Sequence, residues 1–259
     1  MENRSKSLPL FLDERLSARF IKWTLLVLAA AGTAGAVLFW MSIPGKALNS
    51  YNEAQRLFDT GKYANALYAA NEAMRDHALR LKVYRLRADI YRALQQPKEA
   101  VADITRVIDL QPGVVANYDF RAKTYLEMED PADAASDYTR VIELTKSAES
   151  YSERARAYMK MKDASKAIAD LTQAIALDPC ADYYLQRGLA RSESGDQQQA
   201  ISDLNRALEL EPTSTTAVYS YRARGVAKQK SGDASGGVAD LEKAEQLEAT
   251  HILGSKPGC

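Results

Sequence analysis

Tyr84 to Pro112 reads YRLRADIYRALQQPKEAVADITRVIDLQP. Tyr84, Ala88 and Tyr91 stand one turn apart on one stripe of a helix. Ala100, Ile104, Val107 and Ile108 form the stripe of a second helix. Pro97 suits the first turn of that second helix, where a missing N–H costs nothing. Pro112 closes it. The stretch therefore predicts an antiparallel helix pair. One pair buries only part of its apolar surface, so neighbours must stack on it.

The same phrase recurs along the chain. Ala66, Ala100, Ala134, Ala167, Ala200 and Gly237 occupy one register, at spacings of 34, 34, 33, 33 and 37 residues. Ala54, Ala88, Ala122, Ala155, Gly188 and Gly225 run in step, as do Tyr84, Tyr118, Tyr151, Tyr184 and Tyr221. Gly61, Gly195 and Gly232 can end the first helix of their units in the left-handed conformation. Asp130, Asp163, Asp196 and Asp233 can cap the second. Six units result, at 47–80, 81–114, 115–147, 148–180, 181–217 and 218–248, with a tail at 249–259. Four extra residues around Thr213–Ser220 either lengthen a helix or kink the stack.

The small–small pairs Ala88/Ala100, Ala122/Ala134 and Ala155/Ala167 resemble the tetratricopeptide repeat family. Tyr91, Tyr125 and Tyr158 and the closing Pro112, Pro179 and Pro212 add to the likeness, which covers about 200 of the 259 residues. The resemblance implies an all-α, right-handed superhelix whose first helices line a concave groove. It also implies an adaptor that binds peptides or partner proteins. On that pattern Arg85, Arg92, Lys123, Arg156 and Lys160 are candidate groove cations for an acidic segment. Leu185 and Leu189 are candidates to accept an apolar side chain. A generic solvated groove explains the same residues. Tyr51 and Gln55 stand where the family's carboxylate clamp would have its first Lys and Asn, which argues against that clamp.

A second periodicity is charged. Arg87, Arg121, Arg154, Arg187 and Arg224 share one repeat position, and Asp103, Asp137, Asp170, Asp203 and Asp240 share another. The members of each pair are equidistant from the turn between their helices. They predict an Arg–Asp ladder that fixes helix register rather than an anion-binding stripe. The first unit departs from the pattern, with Ser50, Glu53 and Ala69 in place of Tyr, Arg and Asp, and reads as an end unit. The sixth has Gly236-Gly237 and no sealing helix after it. Its face with Leu241, Ala244 and Leu247 is either open to a partner or covered by Ile252 and Leu253.

The N-terminal part has another character. Residues 1–22 hold Arg4, Lys6, Arg15, Arg19 and Lys22 against Glu2, Asp13 and Glu14, a net of +2. Residues 23–44 (WTLLVLAAAGTAGAVLFWMSIP) carry no charge. About 20 apolar residues cross the hydrocarbon of a bilayer. Trp23 and Trp40, the two tryptophans of the chain, would mark its two interfaces. The segment predicts a transmembrane signal anchor, with a cleaved signal peptide as the alternative. The basic flank puts the N-terminus in the cytoplasm and the repeats on the exported side, a bacterial periplasm above all. Repeats facing the cytosol from an organelle membrane are the alternative placement. Leu12, Leu16 and Phe20 share one face of a short surface helix.

Composition excludes more than it names. Across 259 residues, 34 Lys+Arg balance 34 Asp+Glu, so net charge gives no reason to expect nucleic-acid binding. Cys180 and Cys259 are too few for a disulfide scaffold or a cysteine-rich zinc site. Cys180 reads as a loop residue. His77 and His251 have no partners at metal-ligand spacing. No phosphate-binding loop or nucleophile elbow is present, so neither catalysis nor a cofactor is expected. The expected partners are other proteins or peptide segments, membrane lipid around 23–44, and a second copy through the span or the last repeat. The function classes are a membrane-anchored scaffold that assembles a complex, a structural subunit with an unused groove, and a cytosol-facing peptide receptor.

Overall fold

The computed structural model describes residues 34–250. Among them are twelve α-helices, one short 3₁₀ turn and no strand. Contacts divide the chain into two compact units at Ile90/Tyr91. In the first, α1 (Ala34–Asp59) packs on α2 (Tyr63–Ala73). A 3₁₀ turn at His77–Leu79, capped by Asp76, then leads into α3 (Arg80–Ala93), which carries the division. The second unit holds α4 (Pro97–Leu110), α5 (Val115–Glu127), α6 (Pro131–Thr145), α7 (Ala148–Lys160), α8 (Ala164–Leu177), α9 (Ala181–Glu193), α10 (Gln197–Leu210), α11 (Thr215–Lys230) and α12 (Ala234–Thr250). Each of these packs on the next, and α9 also touches α11.

The turn between the two helices of a pair is the same six times. The N–H of the second-helix cap reaches back five residues, as from Lys62 to the Leu57 carbonyl and from Asp163 to the Tyr158 carbonyl. That 6→1 closure puts the preceding residue in the left-handed region. Gly61, Gly195 and Gly232 take it with φ of 74°, 91° and 97°. Gln95, Glu129 and Lys162 take it without being glycine, with φ of 58–60°. Asp130, Asp163, Asp196 and Asp233 accept from backbone N–H groups three residues on, as caps must.

Each pair meets through its small residues. A Cβ added at Gly225 would stand 2.8 Å from the Gly237 carbonyl oxygen, and one at Gly188 would stand 2.8 Å from Leu204 Cγ. Ala122, Ala134, Ala155 and Ala167 are fully buried at the same register. Buried Tyr138, Leu171 and Leu204 fill the layers between pairs. The extra residues near Thr213 lengthen a helix, since α11 starts at Thr215 and has 16 residues where α9 has 13.

Two boundaries differ from expectation. The helix that enters the first repeat runs unbroken from Ala34 through Pro44 to Asp59, so the described end of the expected span and the first repeat share one helix. Residues 1–33, with Trp23, Leu12, Leu16 and Phe20, lie outside the described residues, as do Ile252 and Leu253. Among the described residues no helix is long and apolar enough to cross a membrane. At the other end Ala244 is not open but fully buried against the preceding helix, and Leu241 and Leu247 are half-buried.

Candidate functional site

The repeated arginines form the best-defined polar feature. Arg121, Arg154, Arg187 and Arg224 each donate Nε and Nη2 to the two carboxylate oxygens of Asp137, Asp170, Asp203 and Asp240, at 2.6–2.9 Å. The remaining nitrogen, Nη1, reaches the previous pair. It donates to the side-chain oxygens of Thr105, Thr139, Thr172 and Asn205 in turn, at 2.6–3.1 Å. In the first unit Arg87 Nη1 donates to Asn71 Oδ1 at 2.8 Å. Arg87 and Asp103 fall in different units. Each guanidinium also lies over the ring of the tyrosine three residues before it, from Tyr84 to Tyr221, at 5.1–5.9 Å.

One planar cation thus ties both helices of its own pair to the pair before. The hydrogen bonds that Arg121 and Arg154 donate to Asp137 and Asp170 raise their affinity for their protons, against the opposing effect of burial. In the last two pairs a second cation replaces the tyrosine of the middle repeats. Arg191 joins Asp203 at 2.7 Å and Lys228 joins Asp240 at 2.9 Å. Burial pushes the Asp240 carboxyl up, but hydrogen bonds from Arg224 and Lys228 outweigh it and leave the group below its ordinary value.

Four of the five candidate groove cations are already paired with carboxylates. Arg85 faces Asp89 at 3.6 Å and Lys123 faces Asp119 at 2.8 Å. Arg156 pairs with Glu153. Arg92 forms a bidentate bridge to Glu127 of the next first helix at 2.7–3.0 Å and lies over the Phe120 ring. Lys160 is exposed at the last turn of α7. The expected cationic stretch is therefore charge-balanced, because helical spacing and repeat stacking bring a carboxylate to four of its five cations. Leu189 is 42% exposed, but Leu185 is only 6% exposed and packs with Ala181, Leu204 and Ala207. Leu185 is a core residue and cannot receive a partner's side chain.

Between α7 and α9 the first-helix face opens into a cavity of about 650 Å³. Glu149, Glu153, Asp178 and Asp182 line it, against Lys146 and Arg156, with Leu177 and Tyr183 as its apolar part. Its wall is held by a polar chain. Ser152 Oγ bonds Gln186 Oε1 at 3.2 Å, and Gln186 Nε2 donates to Asp182. Tyr138 donates to Glu153 Oε2 at 3.2 Å, and burial, then the Glu153 charge, holds its phenol well above the ordinary range. Of the expected groove residues only Arg156 lines this cavity. Among the described residues no cluster of His, Cys, Asp and Glu is arranged to hold a metal.

A model of the tetratricopeptide repeat matches residues 51–114 and 152–215. The helix pairs at 51–114 and 152–215 match the tetratricopeptide repeat. No curated protein sequence matches the chain. A crystal structure of MamA is similar at 26% identity over 64% of this chain and 96% of its own, with a TM-score of 0.58. MamA 41-end from Desulfovibrio magneticus RS-1 shares the fold at 17% identity, over 67% and 98% of the two chains, with a TM-score of 0.60. So does YrrB, a TPR protein described as having an unusual peptide-binding site, at 16% identity, over 71% and 94%, with a TM-score of 0.55.

Across the helix pairs one further periodicity marks the clasp. Asn71, Thr105, Thr139, Thr172 and Asn205 recur at 34, 34, 33 and 33 residues, in step with the arginines that bond them. Cys180 does lie in the loop before α9, as expected, but at the N-cap position, nearly buried and disulfide-bonded.

Proposed function

We propose that the protein is a non-catalytic TPR scaffold, held at a membrane by residues 23–44, that binds a segment of a partner protein on its first-helix face. The cavity between α7 and α9 carries this reading: it has the volume of a small-ligand or side-chain site and a rim of four carboxylates against two cations. That balance favours a partner segment bearing Lys or Arg, rather than the acidic segment that Arg92 and Arg156 suggested. Membrane lipid contacts the uncharged stretch, and the repeats face the exported side. A disulfide at Cys180 supports that placement, because disulfides persist in oxidising compartments. Bound partners would assemble into a complex at the membrane.

The test is crosslinking of the full-length chain in its own membranes. Asp178→Lys with Asp182→Lys should release the partner that the wild type captures. Arg206→Glu, on an exposed second-helix surface, should not. Equal capture by all three proteins would refute the groove reading and favour a structural subunit with an unused groove. A reporter active only outside the cytoplasm, fused after Cys259, tests the placement, and an inactive fusion overturns it.

A further inference from the structure

The stripe of α9 that borders the cavity runs Asp182, Gln186, Leu189, at i, i+4 and i+7 on one face. It begins acidic and ends apolar. Asp182 and Gln186 line the cavity, and Leu189, one turn beyond, is 42% exposed. On α11 the same register holds Tyr219, Ala223 and Val226, each 37 positions further on. Tyr219 is 55% exposed and Val226 42%. Helices α9 and α11 touch, so the two stripes lie side by side. On α5 and α7 the register of Leu189 holds Lys123 and Arg156. Exposed apolar side chains therefore collect at one place on the first-helix face, next to the acidic cavity.

We propose that Leu189, Tyr219 and Val226 form a second subsite, which takes a Leu-, Met- or Phe-like side chain of the same partner segment whose Lys or Arg enters the cavity between α7 and α9. This inference rests on the groove reading and supplies the apolar half of the recognised motif.

Three arguments carry it. Single exposed apolar residues are ordinary on a protein surface, but a contiguous group rimmed by polar residues marks a contact site. The subsite is continuous with the cavity through Gln186, which Ser152 and Asp182 hold in place. The neighbouring cations are also committed elsewhere: Arg222 pairs with Glu248, and Arg224 and Lys228 pair with Asp240, all on α12. The charge of the cavity rim then selects the basic residue, and the patch rewards an apolar one. Their separation follows from the helix spacing. Packed helices stand about 8–10 Å apart, and an extended segment covers about 3.3 Å per residue. The two side chains should be about three positions apart in the bound segment.

The probe is a display library of short random peptides, selected on the immobilised full-length chain. Enriched peptides should carry Lys or Arg with a large apolar residue about three positions away. Leu189→Ser with Val226→Ser, both at exposed positions, should keep the wild-type thermal melt and weaken these peptides about tenfold or more. Exchanging the apolar residue of the peptide for Ser should weaken wild-type binding equally, with no further loss in the variant. Basic peptides enriched without a spaced apolar residue, or bound equally by the wild type and the variant, would overturn this inference and leave the groove reading standing. Enrichment that survives Asp178→Lys with Asp182→Lys would overturn the groove reading itself, as would no enrichment at all, and this inference would fall with it. Self-association of the chain that Val226→Ser abolishes would give the patch to a second copy, which also overturns the proposal.

Discussion

Replacing Arg154 by Met isolates what one arginine clasp contributes. The guanidinium gives two bonds to Asp170 and one to Thr139, and it lies over the rings of Tyr151 and Tyr158. Thr139 keeps its own bond to the Ala135 carbonyl. Asp170 is the group left stranded, with its side chain 8% exposed against 18% for the arginine. Breaking a buried pair on one side costs about 3–5 kcal/mol. Partial access to water places this one at the lower end, about 3 kcal/mol, or roughly a hundredfold in a local opening equilibrium. Removing both charges, Arg154→Met with Asp170→Leu, should recover most of that, since the uncompensated carboxylate disappears. Native-state hydrogen exchange of the α7 and α8 amides reads the change without assuming that the whole chain unfolds at once. The exposed pair Arg140–Glu143 serves as the control, and its loss should leave exchange unmoved. An Arg154→Met change below threefold, or a double variant as loose as the single, would refute the argument.

Three further outcomes follow from the same geometry. Glu129→Gly should raise the urea midpoint, because relief of a left-handed non-glycine residue is worth about 1 kcal/mol and exceeds the added chain entropy; a lower midpoint would refute it. Gly225→Ala should destabilise the α11–α12 pair by about 1–3 kcal/mol, since its Cβ would meet the Gly237 carbonyl oxygen at 2.8 Å and backbone must move. Thermal melting checks that, and an unchanged melt would show that the helices can separate freely. Asp240 has a folded-state value below its ordinary 3.8, so its contribution is complete above that pH and is lost as pH falls toward the folded value. Asp240→Asn should therefore be less stable near neutrality and show a shallower acid limb; parallel acid limbs would count against the clasp in the last repeat.

The helix pairs were legible because their spacing is forced at close range. Where Gly225 faces Gly237 a larger side chain has no room, so small residues recur and announce the period. The turns were legible only where glycine took the left-handed position. Gln95, Glu129 and Lys162 do the same under compulsion of the closing hydrogen bond, and nothing in their chemistry signals it. Charge in the groove was misread for a related reason. Arg92 was weighed without Glu127, which lies 35 positions on and one repeat away in space. Leu185 sits at a register that points into the groove in other repeats, yet here it packs with Leu204 and Ala223. A cavity is a property of walls from separate helices, so the space between α7 and α9 had no one-dimensional trace.

The clasp also dictates what the two ends of the array can do. Each internal arginine needs an acceptor on the second helix of the previous pair, and Asn71, Thr105, Thr139, Thr172 and Asn205 supply one. At the last pair that register position is Glu242, in step with Asp240 as Asn205 is with Asp203. At the first pair the arginine is replaced by Glu53, and the matching aspartate by Ala69. With neither group of the clasp present, α1 and α2 leave a cavity of about 540 Å³ beside Glu53, Leu57, Tyr68 and Ala69. A second copy stacked head to tail would bring Glu53 against Glu242, two acceptors with no donor between them. Internal pairs thus carry both the donor and the acceptor of each stacking face, and the first pair carries neither group of its own clasp. Two facing acceptors would disfavour the head-to-tail stacking by which repeats with complementary faces grow into an open fibre. Glu53→Arg with Ala69→Asp should restore the missing clasp and make sedimentation concentration-dependent. Sedimentation that does not change with concentration in this variant would refute the role given to these groups.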